Sequence, residues 1–450
     1  MADHCAGTSW SELPWDLLDR ILQHLELPEA LAVAAACTSW RSAAVASGVP
    51  PSCTPWLVSR VLIPPTETEN KFPGSEFRNL LNTHQTHMVS FPQGRRHLAW
   101  CGASHGWLIA SDQLSNLLLC NPFTPATIHL PPITHLGCVK VVYDDSDGSI
   151  VGYHYGNRDE TIYHPPDDLG CWFYEKVVLS CDPSHGAGDY IAMAICGQSR
   201  VSFARAGESS WQLVTTPCQM GEDMYADCVY HNGRFYTVTM GGVVEAWDLN
   251  KGPGYEPNKH LIIARDRRYM RILTRFLVST PWGGLLQIRT LRRNDHPRTR
   301  RIKVEVLEVN VEERRLVRLS PATAFQEHAV FVGLNESVCL HVKEFPELRP
   351  NCVYFTTPWL KQEENFGLGG WSGVVIYDME SQTSEDGKGS EVMPPPIARR
   401  KPSLIRSFRF SSAAFSARFC SSVSRRRMEI FLPIFLLLLC CFPFPVQLRP

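Results

Sequence analysis

Apolar residues recur at helical spacing near the beginning of the chain. Positions three or four residues apart lie on one face of a helix. Pro14 suits a first helical turn, because its missing N–H has no partner there in any case. The pattern therefore predicts an amphipathic helix near residues 14 to 25. Its apolar positions, together with the leucine that precedes it, are Leu13, Leu17, Leu18, Ile21, Leu22 and Leu25.

Two more short helices are predicted after this one. Pro28 and Glu29 resemble the opening of the first helix and predict a second helix as far as Ala36. Thr38 is a suitable cap for a third helix that runs from Trp40 toward Ala46. Three short helices bury too little apolar surface to be stable alone, so a partner surface is expected.

These residues resemble the F-box, over residues 9–50. Leu13-Pro14, the apolar helix and the closing Cys37, Trp40 and Arg41 follow the pattern of that family, although Glu29 and Val33 depart from it. The resemblance implies that the motif binds the Skp adaptor, which bridges to a cullin and its ubiquitin-conjugating machinery. A helical cap that packs on the larger domain is the alternative. The implied adaptor-binding residues are Leu13, Pro14, Leu17, Leu18, Ile21, Leu22, Leu25, Trp40 and Arg41.

From residue 98 to residue 378 the pattern changes to short β-branched or aromatic runs that are separated by Gly, Pro, Asn and Asp. Such runs are typical of brief strands joined by hairpins. About twenty runs exceed a simple sandwich and favour a β-propeller, with about six four-stranded blades as the estimate. The clearest runs are 106–110, 117–120, 176–181, 190–196, 200–204, 234–239, 243–248, 276–279, 285–289, 302–309, 329–332, 352–355 and 374–378.

Particular stretches of this region resemble the plant DUF295 domain, now grouped with KIB-type β-propellers. The resemblance implies a mainly β fold in which the small three-helix F-box is followed by a propeller over residues 95–380, with a linker at 51–94. That domain usually follows an F-box, so two separate segments indicate one architecture. The matching stretches are Ser104–Leu108, Leu119–Thr124, Leu130–Pro132, His231–Tyr236 and Leu348–Phe355.

Two segments formally match catalytic motifs without their structural context. Gly102–Gly106 fits G-x-S-x-G, but Trp107–Ala110 reads as a strand where a hydrolase needs a helix. The Gly367–Gly373 run lacks the lysine and the following helix of a phosphate-binding loop, so it is predicted to be a flexible hairpin loop. The sequence therefore predicts a non-catalytic protein without a cofactor.

Composition narrows the partners further. The 44 basic and 45 acidic side chains nearly cancel, so no global field attracts nucleic acid. The 16 cysteines include no C-x-x-C pair, and Cys228 with His231 has no second pair to complete a zinc site. A reducing compartment is expected, in the cytoplasm, the nucleus or both. The basic cluster between Arg292 and Lys303 is either a solvated loop or a grip for an acidic substrate segment.

The C-terminal part of the chain has a different texture. Residues 381–429 are rich in Ser and Arg and are predicted to form a disordered basic linker. Residues 430–446 carry no charge but contain three prolines and are short for a membrane span. A tail anchor with Arg425–Arg427 in the cytosol and an unstructured or aberrant terminus both remain open.

Together these features predict the substrate-recognition subunit of an SCF-type (Skp–cullin–F-box) E3 ubiquitin ligase, which recruits an unidentified protein substrate through the propeller. The main alternative is a propeller scaffold that works outside any ligase. A hydrolase or sugar-binding enzyme has little support, because no triad or carboxylate pair can be named and a propeller does not imply chemistry.

Overall fold

A computed structural model gives the structure of the chain. It describes residues 10–25, 33, 36–46, 56–59, 74–79, 86–90, 99–121, 126–156, 161–183, 189–197, 200–213, 223–249, 257–265, 272–292, 302–346, 348–356, 374–386 and 436–439.

The N-terminal region contains two described helices, α1 (Trp15–Gln23) and α2 (Thr38–Ala46). Pro14 immediately precedes α1, as the sequence predicts, and a 3-10 turn at Trp10–Glu12 precedes Pro14. The predicted third helix is α2, which already includes Thr38. The predicted second helix falls mostly outside the described residues. The two described helices share a small apolar core made by Leu18, Leu22, Ala43 and Ala44.

The rest of the described chain is mainly strand, because its short apolar runs gain stability by pairing with neighbours. The first fourteen strands are β1 (Trp56–Ser59), β2 (Gly74–Asn79), β3 (Thr86–Ser90), β4 (Ala99–Ser104), β5 (Trp107–Ser111), β6 (Leu117–Cys120), β7 (Thr127–His129), β8 (Val139–Tyr143), β9 (Ile150–Gly156), β10 (Thr161–His164), β11 (Tyr174–Leu179), β12 (Ile191–Cys196), β13 (Arg200–Arg205) and β14 (Gln212–Leu213).

The later strands continue the same pattern toward the C-terminus. They are β15 (Tyr225–His231), β16 (Arg234–Thr239), β17 (Val244–Asp248), β18 (Asn258–Ile263), β19 (Ile272–Ser279), β20 (Leu285–Arg292), β21 (Ile302–Asn310), β22 (Arg315–Arg318), β23 (His328–Val332), β24 (Val338–His341), β25 (Cys352–Phe355), β26 (Val375–Asp378), β27 (Thr383–Asp386) and β28 (Leu436–Leu439). A one-turn helix, α3 (Leu169–Trp172), and 3-10 turns at Ile133–His135 and Pro321–Thr323 lie between strands.

The described strands form seven sheets. Four are simple up-and-down sheets in chain order, β4–β7, β11–β14, β15–β18 and β19–β22. The fifth has the order β24-β23-β25-β26-β27, in which β23 and β25 pair in parallel. A three-stranded sheet (β10-β9-β8) and a sheet of order β28-β1-β2-β3 complete the set.

Five of these sheets contact one another in a closed series. The first strands β4, β11, β15 and β19 pack successively against each other, and β19 packs against β24. The loop after β23 returns to the first sheet, where the Glu336 N–H donates a hydrogen bond to the Ala103 carbonyl over 2.8 Å. This succession of antiparallel sheets around a centre is the architecture of a β-propeller, and the mainly β prediction is confirmed. The estimate of about six blades stays a prediction.

The three-stranded sheet β8–β10 is attached beside this ring, between the first and second of its sheets. The Tyr153 hydroxyl donates to the Leu114 carbonyl, and the Tyr155 hydroxyl donates to the Gly197 carbonyl. Burial raises the pKa of each phenol to about 12, so both remain protonated donors at neutral pH.

Strands also occur in two segments in which the sequence predicts none. Residues 51–94, predicted as a linker, contain β1, β2 and β3, and β27 continues the fifth sheet into the segment predicted as disordered. These strands are short or rich in polar residues. Their pairing partners, rather than their own apolar pattern, make them strands. Residues 387–429 lie outside the described residues.

All the strand runs named from the sequence coincide with observed strands. The turns between them also follow sequence signals, as at Asn232-Gly233, where both residues have positive φ (45° and 78°) and join β15 to β16 in a tight hairpin.

The apolar segment 430–446 is described only at β28, which pairs with β1 in an antiparallel register. Within the part of the chain that the structure describes, no helix is long and apolar enough to cross a bilayer.

Candidate adaptor-binding surface and the centre of the ring

Helix α1 has two apolar faces with different environments. Leu18 and Leu22 are buried, at 3% and 0% exposure, against Ala43 and Ala44 of α2. Leu13 and Leu25 are half-buried at the edge of the same cluster. These side chains form the internal core of the two helices.

The neighbouring face of α1 is exposed and apolar. Leu17 and Ile21 are 45% and 40% exposed, and they lie four residues apart on one side of the helix. Trp15 at the start of α1 (49% exposed) and Trp10 in the preceding turn (75% exposed) are two further exposed aromatic side chains of the same region. Exposed apolar side chains that cluster in this way indicate an interaction site. Neither tryptophan is among the adaptor-binding residues predicted from the sequence, although Trp15 directly follows the Leu-Pro pair.

Trp40 and Ser39 connect α2 to the 3-10 turn that carries Trp10. The Trp40 indole N–H donates to the Trp10 carbonyl over 2.9 Å, and the Ser39 hydroxyl donates to the Ser11 carbonyl over 2.8 Å. Trp40 and Arg41 are half-buried, and Pro14 is exposed. The nine predicted adaptor-binding residues therefore divide among an exposed face, an internal core and a connecting group.

At the centre of the ring lies a buried ammonium group with three acceptors. Lys176, on β11, places its Nζ 2.8 Å from a carboxylate oxygen of Asp227 on β15, and both side chains are no more than 3% exposed. The same Nζ donates to the Gly333 carbonyl over 2.9 Å and to the Asn335 carbonyl over 2.6 Å. Its three protons are thus shared between two other sheets of the ring.

The second oxygen of Asp227 extends this network to a fourth sheet. It accepts the backbone N–H of Leu277, on β19, over 2.8 Å. Burial raises the pKa of the Asp227 carboxyl, and the ammonium of Lys176 opposes that rise. The ion pair and its hydrogen bonds therefore join four sheets of the ring. No sequence pattern indicates this pair, because Lys176 and Asp227 are far apart along the chain.

Ser104, the serine of the G-x-S-x-G match, belongs to the same closure. Its hydroxyl donates to Glu336 over 2.7 Å and accepts the Leu179 N–H over 3.0 Å. It is 2% exposed at the end of β4, and β5 follows after a two-residue turn. The strand predicted after this motif is confirmed, and the serine has no nucleophile-elbow geometry.

Cys228 and His231, the pair with metal-like spacing, have other environments in the structure. Cys228 is buried, which raises the pKa of its thiol, and His231 hydrogen-bonds Ser279 over 2.8 Å. Among the described residues, no three His, Cys, Asp or Glu side chains could hold a metal together. The glycine run 367–373 and most of the basic cluster, 293–301, lie outside the described residues. Lys303, at its end, pairs with Glu305 over 3.5 Å.

Comparison with known proteins supports both parts of this architecture. The KIB1-4 beta-propeller family matches residues 77–380, and the F-box domain matches residues 10–47. The chain is similar to the Arabidopsis thaliana protein At4g22170, which is named as an F-box protein, with 32% identity over 84% of this chain and 91% of that protein.

Other Arabidopsis thaliana relatives match over shorter stretches. F-box protein At1g10110 is 30% identical over 56% of this chain and 59% of its own length. The matched stretch spans little more than half of two other relatives, 56% of At4g22180 and 58% of At4g22660.

Solved structures show low similarity, as for YCF48 bound to D1 peptide, which aligns over 55% of this chain and 74% of that chain at 10% identity with a TM-score of 0.25. The two family matches lie in the order that the sequence predicted. The chain is a plant-type F-box protein that belongs to the KIB1-4 β-propeller family.

Proposed function

We propose that the chain is the substrate-recognition subunit of an SCF-type ubiquitin ligase. The observation that carries the proposal is the exposed apolar face of α1 within a matched F-box, with Leu17 and Ile21 at its centre. An F-box generally binds the Skp adaptor, and the adaptor connects it to a cullin. The transfer chemistry then belongs to the other subunits.

The mechanism that follows is proximity. The propeller holds a protein substrate beside a charged ubiquitin-conjugating enzyme and raises the effective concentration of the substrate lysine. A receptor of this kind needs a rigid body between its two binding surfaces. The buried network of Lys176 and Asp227 supports that requirement, because it ties four sheets of the ring together.

In this proposal the residues of the F-box have different tasks. Leu17 and Ile21, with Trp10 and Trp15, form the contact surface for the adaptor, since they are exposed and apolar. Leu18 and Leu22 hold α1 against α2 from inside. Trp40 positions the turn that carries Trp10.

A binding assay with purified Skp adaptor tests the proposal. The full-length chain should bind the adaptor as a known F-box protein does, and the complex should capture a cullin. Failure to bind under conditions where a known F-box binds would contradict the proposal. Recovery of the adaptor without any cullin would favour a scaffold that works outside a ligase.

A comparison of two full-length proteins can identify the substrate. The wild type and a Leu17→Asp variant are expressed while the proteasome is blocked, and the proteins that copurify are compared. Both should capture the substrate through the propeller, but only the wild type should capture it in ubiquitinated form.

A further inference from the structure

The turn between β19 and β20 presents a tryptophan at its tip in a fixed geometry. The Thr280 hydroxyl donates to the Gly284 carbonyl over 2.9 Å and accepts the Gly284 N–H over 2.8 Å. Gly283 has a φ of 81°, which a residue with a side chain rarely adopts. This small hydrogen-bonded loop fixes the backbone on both sides of Trp282.

The Trp282 side chain is 47% exposed although a neighbouring sheet supports it. Its ring lies 4.8 Å from the ring of His328 at the start of β23, and His328 in turn lies 4.6 Å from His341 at the end of β24. An exposed tryptophan that is already held in place loses little conformational freedom on binding. Such side chains are typical anchors of protein interfaces.

Charged side chains lie around the two histidines that connect Trp282 to the fifth sheet. Glu327 is exposed and lies 3.1 Å from the Lys343 ammonium and 3.4 Å from the His341 ring. Glu344, also exposed, adds a second carboxylate near His328. Burial lowers the pKa of His328, so its ring is neutral at pH 7. Two carboxylates and one ammonium thus lie around the His328 and His341 rings that support the indole.

The ion pair of Glu327 with Lys343 is weak enough to exchange. Both side chains are more than half exposed, at 59% and 75%, and exposed ion pairs contribute little stability. An incoming cation can therefore replace the Lys343 ammonium at Glu327 at small cost. His341 and His328 lie between this carboxylate and Trp282, and tryptophan is the aromatic side chain that binds cations best.

We propose that Trp282, Glu327 and Glu344 form a docking point for an arginine or lysine side chain of the protein substrate. This inference rests on the proposed receptor function and places part of its recognition surface on the fourth and fifth sheets of the ring. The cation contacts the indole face and the two carboxylates fix its position. Selectivity for a basic over an acidic segment follows from the local charge.

Fluorine NMR of the full-length protein labelled with 5-fluorotryptophan tests the proposal. The Trp282 resonance is identified by its loss in a Trp282→Phe variant. The probe is an acetylated glycine heptapeptide that contains two arginines, and its counterpart contains two glutamates. At about 0.15 M salt, the arginine peptide should shift the Trp282 resonance saturably. The resonance of Trp172, which is 38% exposed and donates its N–H to Asp168, serves as the internal control.

Two variants separate specific docking from general charge attraction. Glu327→Gln should weaken binding of the arginine peptide at least threefold. Lys343→Ala should strengthen it, because the competing ammonium is gone. An unmoved Trp282 resonance, equal shifts with both peptides, or no effect of Glu327→Gln would overturn the docking point. Adaptor binding by Trp282→Phe should equal that of the wild type, so failure of the docking point is distinct from failure of the F-box assignment.

Discussion

Lys176 and Asp227 form a buried ion pair, with 2.8 Å between the ammonium nitrogen and the carboxylate oxygen, across two neighbouring sheets of the ring. Since Lys176 also donates to two carbonyls of a third sheet, its loss would leave several buried acceptors without a donor. The stability of the propeller should therefore depend strongly on this one side chain.

Replacing Lys176 with Met tests this dependence. The variant keeps an apolar stem of similar length but leaves the Asp227 carboxylate buried without its partner, which should cost about 3–5 kcal/mol in the free energy of unfolding. Chemical denaturation monitored by tryptophan fluorescence measures it. Lys259→Met is the matched control, because the Lys259 side chain is 44% exposed in its pair with Glu245 and should contribute less than about 1 kcal/mol. Equal losses in the two variants would contradict the closing role of Lys176.

Leu17→Asp and Ile21→Asp should each abolish binding of the Skp adaptor. Both side chains are exposed in the free protein, so the folding of α1 should be little changed, whereas the complex would bury an unpaired carboxylate. Isothermal calorimetry measures adaptor affinity, and circular dichroism reports helix content. Unchanged affinity in either variant would refute this part of the surface.

Leu22→Ala should lower the stability of the F-box rather than remove a contact with the adaptor. Leu22 is fully buried between the two helices, so its truncation leaves a cavity and should destabilise the F-box by about 2–5 kcal/mol. Adaptor binding should fall only through this loss of folding, and excess adaptor should restore it because binding stabilises the folded state. Full loss of binding in a variant with intact helices would instead place Leu22 at the interface.

Trp40→Phe should separate positioning from direct contact. Phenylalanine keeps much of the apolar ring but removes the hydrogen bond to the Trp10 carbonyl, which should cost about 1 kcal/mol of F-box stability. Adaptor affinity should fall less than in Leu17→Asp. The two are compared in one calorimetric series, and a loss as large as that of Leu17→Asp would place the Trp40 indole at the interface itself.

Asp378 should make the stability of the fifth sheet sensitive to acid. Its carboxylate accepts the Ser381 and Glu380 N–H groups, of which the bond from Ser381 is the largest cause of its lowered pKa, and it also pairs with Arg349. A lowered folded-state pKa means that its contribution is complete above the ordinary value of 3.8 and is lost as the pH falls below that value.

An Asp378→Asn variant tests the direction of this pH dependence. Asparagine keeps an oxygen acceptor but no charge, so the difference in unfolding free energy from the wild type should be larger at about pH 6 than at about pH 3. Denaturation curves at the two pH values give that difference. A difference that grows toward low pH would contradict the assignment.

The sequence by itself determined the order and type of the elements. The helical spacing of Leu17, Leu18, Ile21 and Leu22 predicts α1, and the β-branched runs predict the strands, because both depend on local periodicity. The motifs also indicated the F-box and the propeller, which the family matches confirm.

Only the tertiary structure decided which residues share a surface. Sequence spacing placed Leu17 and Leu18 in one predicted site, but packing against Ala43 and Ala44 buries Leu18 and leaves Leu17 exposed. Only the tertiary structure brings Lys176 to Asp227 and Trp282 to His328. The two residues of each pair lie on different sheets and are far apart along the chain. Contacts between distant segments carry no local periodicity, and only the closure of the ring brings them together.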